Sequence, residues 1–417
     1  MAIGLAILII GFAAVFAAFL LLIIGLIYAE LMNSEIPSGV TNRSKLHVVH
    51  ILFVGIAIVG RILDRLGLCH QVSFTRWVSA RFLVCKRPAP PGLHIRDMLF
   101  EGVPVRVYQP TAPSAGGRRG LVYFHGGGWV MGSIDTADEI CRCIAKESKT
   151  TVVSVGYRLA PEHTYPAPLD DCEAATCHFL SVAEADFGVD PCRVAVGGDS
   201  AGGNLAAALC QRLAKRADGR VPPPRAQVLL YPALQMADFS LPSYQQNHAV
   251  PVLFRGRAAF YFLQYLCGDA ALCPDLLEGA HVPPDLRLQY RKWLSPELLP
   301  PEFLARGCGE GPAPAQHDGE VYHAVRAGLD PEVSPLLGED EVVRRTPPAF
   351  VLTCEYDVLR DDGILFRKRL EDLGVAVSWH HARDGFHGIL NFYNRGWLSF
   401  MAARPILDSI VRYMETL

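Results

Sequence analysis

The chain has 417 residues, half of them hydrophobic and 19% charged, with a formal net charge of -3. That length admits two or three average domains or one large α/β domain with insertions. The charge balance gives no nucleic-acid signature, and neither a P-loop nor a dinucleotide fingerprint is present, so no nucleic-acid partner and no nucleotide cofactor is expected. Twelve cysteines are scattered without the paired spacing of a zinc site, which argues against a structural metal and leaves the chain with no expected cofactor of any kind.

Residues 1–29 carry no charge and run almost wholly through Ala, Ile, Leu, Val and Phe. About 20 apolar residues cross the hydrocarbon core, so this stretch reads as a transmembrane signal anchor. A cleaved signal peptide would have a shorter apolar core of about 7–15 residues, a basic start and a small-residue cleavage site. Residues 30–93 read as a membrane-proximal linker and part of a cap. Within them Val48 to Gly60 is short for a second crossing and reads as an interfacial or buried helix. Residues 1–100 hold nine Lys and Arg against four Asp and Glu, a basic bias that suits an anionic membrane surface. Orientation stays open on the residues alone. Arg43 and Lys45 after the anchor favour a cytosolic carboxyl side, whereas Asn42-Arg43-Ser44 is a sequon usable only in the lumen, which makes Asn42 a candidate glycosylation site.

The catalytic domain is expected over 94–417. It begins with two strand-like runs, Ile95 to Phe100 and Val103 to Tyr108, meeting at Glu101-Gly102 as a hairpin. After a glycine- and proline-containing linker come strand Leu121 to Phe124, helix Asp135 to Ser148, strand Thr151 to Val155 and helix Leu169 to Val182. Strand Arg193 to Val196 and helix Ala201 to Leu213 follow. Later strands are expected at Gln227 to Tyr231, Ala349 to Cys354 and Ala376 to His380, with helices near Asp362 to Leu373 and Met401 to Met414. Such alternation means a mostly parallel central sheet with helices on both faces, an α/β fold. The pattern breaks over about 233–348, where prolines, aromatics and a Gly/Pro-rich run from Gly307 to Pro314 suggest an inserted cap.

Gly198-Asp199-Ser200-Ala201-Gly202 sits between a strand and a helix, and a G-x-S-x-G there turns a serine hydroxyl outward as a nucleophile. Such a serine needs a base, a carboxylate to orient it, and donors for the developing oxyanion. Asp357 ends a strand, and His387 lies thirty residues on between glycines, giving the chain order Ser, Asp, His of an α/β hydrolase. Asp361 and Asp362 open a helix and read as cap and dipole partners; Asp384 reads as a turn former. Consecutive glycines after a strand, in His125-Gly126-Gly127-Gly128-Trp129, let backbone amides approach a carbonyl oxygen. Gly126, Gly127 and Ala201 are the expected oxyanion donors, and His125 reads as a residue that fixes this loop.

Together with Gly156-Tyr157-Arg158-Leu159-Ala160-Pro161-Glu162, Asp357 to Gly363 and Asp384-Gly385-Phe386-His387-Gly388, these motifs resemble the hormone-sensitive-lipase-like α/β hydrolases. With the amino-terminal anchor and Ser243-Tyr244-Gln245-Gln246-Asn247, the chain resembles the arylacetamide deacetylase family over nearly its whole length. The resemblance implies an α/β-hydrolase fold, the triad Ser200, Asp357 and His387, and hydrolysis of small apolar carboxylic esters or arylamides. It also implies a single-pass protein of the endoplasmic reticulum membrane with a luminal catalytic domain. One departure is Val130, which stands where the family can place a cysteine paired with the one at Cys354. The alternative is a ligand-binding protein on the same fold that has lost catalysis; it is disfavoured because all three triad types are present. If His387 is the base, hydrolysis should rise with pH across the range in which a histidine loses its proton. A rate that stays flat between about pH 5 and pH 8 would remove His387 from that role.

Overall fold

The computed structural model describes residues 2–32, 34, 36–84, 87–114, 116–216, 221–307 and 315–417. Most of the Gly/Pro-rich run that begins at Gly307 therefore lies outside the described residues. Eight strands form one sheet: β1 (Leu93–Phe100), β2 (Val103–Pro110), β3 (Arg118–Phe124), β4 (Thr151–Val155), β5 (Val189–Asp199), β6 (Ala226–Leu230), β7 (Ala349–Tyr356) and β8 (Val377–Phe386). Their order is β1-β2-β4-β3-β5-β6-β7-β8. β2 is antiparallel to both its neighbours, and every pair from β4 to β8 is parallel. The β1–β2 hairpin closes through Glu101 and Gly102, both at positive φ (48° and 80°), which is what a two-residue turn matched to strand twist demands.

The inner parallel strands, β3 to β7, carry apolar runs because both of their faces are covered. In β3, Val122 and Phe124 join a core on one face, while Leu121 and Tyr123 join a core on the other. The first face packs α5 (Ala167–Phe187), α6 (Ala201–Lys215) and the helix Arg360–Asp372; the second packs α4 (Ile134–Ser148) and the helix Ala403–Glu415. α5 extends five residues beyond the expected Val182 because Ala183 and Phe187 continue its buried stripe and Gly188, at φ 60°, ends it. This closing glycine is the usual left-handed stop.

The amino-terminal part is three helices: α1 (Ala2–Met32), α2 (Arg43–Arg65) and α3 (Gln71–Val78). α1 is long and apolar enough to cross a membrane and is not buried against the rest of the chain. α2 is longer than the expected Val48 to Gly60, since the polar residues at both its ends are helical too, and at 23 residues it is, against expectation, also long and apolar enough to cross a membrane. Its Leu46, Val49, Val54 and Ile58 are buried, so one face is committed to the protein.

Between β6 and β7 the described residues form short helices and no strand, among them Pro242–Gln246, Arg255–Leu266, Pro284–Leu294 and Gly319–Val325. Here two sequence expectations need correction. Asp361 and Asp362 do not cap their helix; their carboxylates turn away to hold the inserted segment. Asp361 accepts the Ser243 N–H at 2.7 Å and pairs with Arg360 at 2.9 Å. Asp362 accepts the Leu234 N–H at 3.0 Å and the Gln235 amide at 3.1 Å, with the Tyr244 hydroxyl 3.3 Å from each oxygen. Burial pushes the Asp362 carboxyl up to about 8 despite those donors. Asp384 does not shape a turn either: it lies within β8 and accepts the Thr41 hydroxyl at 3.1 Å. Cys354 is buried and unpaired.

Removing a buried acceptor strands its donors at about 1–3 kcal/mol each. Asp362→Ala is therefore expected to destabilise the protein by about 3 kcal/mol or more. A thermal melt of Asp362→Ala beside Asp362→Asn tests this, with the asparagine variant, which keeps an acceptor, losing less in Tm.

Candidate active site

The carboxyl ends of β3, β5, β7 and β8 reach one edge of the sheet, the edge where open α/β sheets bind ligands. β3 delivers the glycine run, β5 delivers Ser200, β7 ends just before Asp357 and β8 just before His387. Ser200 has φ 56° and ψ -117°, a region that non-glycine residues avoid and that turns its side chain off the end of β5. The elbow can be this tight only because Gly202 lacks a side chain. A Cβ there would fall 1.9 Å from the Phe124 carbonyl oxygen.

Ser200 Oγ lies 2.9 Å from His387 Nε2, and His387 Nδ1 lies 2.8 Å from Asp357 Oδ2. With the proton on Nδ1, the imidazole donates to the carboxylate and accepts from the serine. Asp357 is fully buried, and its second oxygen accepts the Leu359 N–H at 2.8 Å. The Asn247 amide donates to its main-chain carbonyl at 2.9 Å. Both carboxylate oxygens are thus occupied, which fixes the acid and, through it, the ring. The Tyr231 ring packs against the imidazole edge, centroids 5.1 Å apart. The other acids that competed in the sequence are engaged elsewhere, Asp361 and Asp362 with the insertion and Asp384 with Thr41. His381 faces Glu355 at 3.0 Å.

The glycine loop differs from expectation in one donor. The Gly126 amide points back into the protein and donates to Asp199 Oδ1 at 2.8 Å, so it is unavailable to an oxyanion. Among the described residues no protein acceptor takes the amides of Gly127, Gly128 or Ala201. Gly127 has φ 125°, and a Cβ on it would lie 2.2 Å from the Met131 carbonyl oxygen. This is a conformation only glycine adopts readily. Gly128 lies beneath the Tyr261 ring, whose Cγ would be 2.3 Å from a Cβ there. His125 fixes the loop as expected: its ring stacks on Tyr157 at 4.3 Å, and the Tyr157 hydroxyl donates to the His125 carbonyl at 2.6 Å. Burial pulls its imidazole down to about 4, so it stays neutral.

Asp199 was hidden at the variable position of the serine motif. Its Oδ1 accepts both the Gly126 amide and the Tyr123 hydroxyl, each at 2.8 Å. One carboxyl therefore ties the residue beside the nucleophile to the residue that opens the glycine loop. Burial raises its affinity for a proton. Arg76 on α3 was also missed, because nothing local in the sequence marks it. It donates to the Val130 carbonyl at 2.6 Å and to both oxygens of Glu162 at 2.8 and 2.9 Å. Asn42 is exposed at the start of α2, with φ 64° and no capping hydrogen bond from its side chain.

Residues 121–280 and 318–391 match the family model of the alpha/beta hydrolase fold. Over 93% of its length the chain is 39% identical to human arylacetamide deacetylase-like 4, covering 94% of that protein. It is 36% identical to rat neutral cholesterol ester hydrolase 1 over 96% of this chain and 97% of that one. Among solved structures it is similar to a thermophilic carboxylesterase cloned from a metagenomic library. That likeness has a TM-score of 0.59 and 28% identity, and covers 86% of this chain and 97% of the other.

The Asp199 latch has a kinetic consequence. Losing one oxyanion donor costs about 100- to 1000-fold in kcat, and a displaced loop should cost part of that. Asp199→Ala is expected to lower kcat about 10- to 100-fold with little change in KM. Asp199→Asn, which retains an oxygen for Gly126 and Tyr123, should keep most of the activity. Equal losses in the two variants would show that the latch is not what holds the loop.

Proposed function

The chain belongs to the arylacetamide deacetylase family of α/β hydrolases, and from this premise we propose that it is a membrane-anchored serine esterase and deacetylase acting on apolar carboxylic esters or arylamides. The observation that carries the reading is the continuous relay Ser200–His387–Asp357, with contacts of 2.9 and 2.8 Å, set at an elbow whose serine is held at positive φ.

In the first step Ser200 Oγ attacks the substrate carbonyl carbon while its proton passes to His387 Nε2. The Asp357 carboxylate accepts the hydrogen bond of Nδ1–H and stabilises the imidazolium that forms, the proton staying on the ring. The amides of Gly127, Gly128 and Ala201 are assigned to the oxyanion. His387 then protonates the departing alcohol or amine as the tetrahedral centre collapses to an acyl-serine. Water, deprotonated by His387, attacks that ester, and the acid leaves as Ser200 regains its proton. No metal or cofactor enters this scheme.

We assign residues 1–29 to a signal anchor and 94–417 to the catalytic domain. The remaining stretch, 30–93, joins the insertion at about 233–348 to close over the glycine loop. The Tyr261 ring above Gly128 supports that placement of the insertion. For localisation we propose the endoplasmic reticulum membrane with a luminal catalytic domain, a reading that the exposed sequon at Asn42 supports. An apolar substrate follows from the anchor and from the name of the cholesterol ester hydrolase relative.

The test is hydrolysis of short- and long-chain p-nitrophenyl esters by the full chain and by Ser200→Ala, with fluorophosphonate labelling of both. Turnover and labelling are expected in the wild type and in neither case in the variant, a loss of about 10⁴-fold or more in kcat. A folded wild type that neither labels nor hydrolyses would replace the enzyme with a ligand-binding protein.

A further inference from the structure

Outside α1, nine large apolar side chains are exposed among the described residues, and they are not spread evenly. Val48, Leu52, Leu66, Leu68 and Trp77 fall on α2, α3 and the turn between them. Trp397 and Met401, 61% and 77% exposed, stand either side of Ser399, whose carbonyl accepts the Lys45 ammonium at 2.9 Å near the start of α2. The rings of Phe53, Phe392 and Phe400 pack the same segment against α2. Seven of the nine thus gather around one pair of helices. Single exposed apolar residues need no explanation, but a contiguous group does.

α2 is apolar on two sides. Leu46, Val54 and Ile58 recur at intervals of four or eight and are buried, Leu46 together with Val49 in the core of the catalytic domain, whereas Val48 and Leu52 are exposed. Two positions along an α-helix is about 200° around it, so the exposed pair lies opposite the buried face. The turn that follows carries Leu66 at 65% and Leu68 at 70% exposure, and α3 ends with Trp77 at 60%. Arg65 and Arg81 are exposed beside these residues. Tryptophan together with arginine is the pairing that settles at a bilayer's headgroup level. α1 supplies the bilayer: Glu30, where it emerges, lies 3.6 Å from Arg61 on the last turns of α2.

We propose that the exposed face of α2 and α3, extended by Trp397 and Met401, is a second membrane-contacting surface. It lies in the headgroup–acyl boundary of the bilayer that α1 spans. The proposal rests on the reading of α1 as an anchor. It accounts for α2 without a second crossing, because a helix with one face bound to the catalytic domain and the other in the interface lies along the membrane. It also gives α3 a functional position. Trp77 faces outward, while its neighbour Arg76 reaches inward to the Val130 carbonyl and to Glu162. Val72 of the same helix packs with Val130, Ala160 and Tyr261, and Tyr261 covers Gly128. The helix that touches the bilayer is therefore also a wall of the glycine loop, so an ester dissolved among acyl chains approaches Ser200 from the membrane side.

Tryptophan fluorescence tests this directly: α1 contains no tryptophan, Trp129 and Trp293 are buried, and the fifth, Trp379, is partly buried in β8, its N–H on Thr353 and Arg367 over its ring, so that both proteins share it as background. The full chain would be reconstituted in phosphatidylcholine vesicles with plain or brominated acyl chains, beside Trp77→Phe/Trp397→Phe. Flotation reports the anchor, brominated-lipid quenching reports the face, and hydrolysis of water-soluble p-nitrophenyl acetate reports the fold and the esterase. The expected result is flotation of both proteins with equal acetate hydrolysis, and a quenching loss in the wild type about twice that in the double variant. Flotation with equal quenching in the two would overturn the interfacial face and leave the anchor standing. A chain that does not float would overturn both, while acetate hydrolysis would still report on the esterase separately.

Discussion

The site depends on one close approach of two backbones. The end of β3 and the elbow after β5 meet so tightly that a methyl group on Gly202 would fall 1.9 Å from the Phe124 carbonyl oxygen, and one on Gly198 would fall 2.3 Å from the same atom. Two neighbouring parallel strands are thereby forced to end together. β3 continues into the glycine loop and β5 into Ser200, so the free glycine amides and the serine are positioned by the same contact. Asp199 then fastens the two sides through the Gly126 amide and the Tyr123 hydroxyl. The positive φ of Ser200 is sustained by this arrangement, since the Ser200 amide is still held by the Leu230 carbonyl at 2.8 Å on the other side of β5. Strain at one residue persists where its surroundings over-determine it.

The acid and base arrive from the far side of β6, and the insertion between β6 and β7 is bound into the same edge. Asp361 and Asp362 hold its first residues, and Asn247 within it donates to the main chain of Asp357. Asn204, one turn into the helix that follows the nucleophile, donates to the carbonyls of Ala233 and Val333, both at 2.7 Å. The segments that would shape the substrate pocket are therefore hydrogen-bonded to the helices that flank the serine and the acid. A change in one would be felt in the other, because buried polar networks lose more when broken than isolated contacts do.

Much of this was legible in the sequence, for a physical reason. The inner strands of a parallel sheet are apolar on both faces and are separated by helices with their own period, so seven of the eight strands were readable to within four residues, whereas the polar edge strand β8 runs six residues past the expected His380. The serine, histidine and acid were legible because each stands at a strand's end, the serine and histidine among glycines, where chain geometry restricts the residue type. Misreadings came where identity depends on partners distant in the chain. Gly126 looks like its two neighbours, and only the Asp199 carboxyl, 73 positions away, decides that its amide faces inward. Asp361 and Asp362 sit where a helix start accounts for acids locally, yet their partners lie 118 to 128 positions off. Arg76 has no local signal at all, and its role exists only once α3 has docked.

The stretch between α1 and α2 is likewise held by distant partners, although composition alone would make it a leash. Gly39 approaches Tyr356 so closely that a side chain there would fall 1.9 Å from the phenol oxygen. Thr41 donates to Asp384, and Lys45 to the Ser399 carbonyl. Tyr356 directly precedes Asp357, and Asp384 lies three residues before His387. The segment that leaves the apolar helix is thus seated against both loops that supply the acid and the base. A flexible tether would gain nothing from a glycine fitted under a phenol ring, since ordering it costs about 1–2 kcal/mol per residue in backbone entropy. That cost is offset here by the burial of Val40 and Leu46 in the core beneath Tyr356 and Phe386. The segment after α1 is therefore part of the edge that carries Asp357 and His387, and the distance from the apolar helix to those residues is set by packing instead of by linker length.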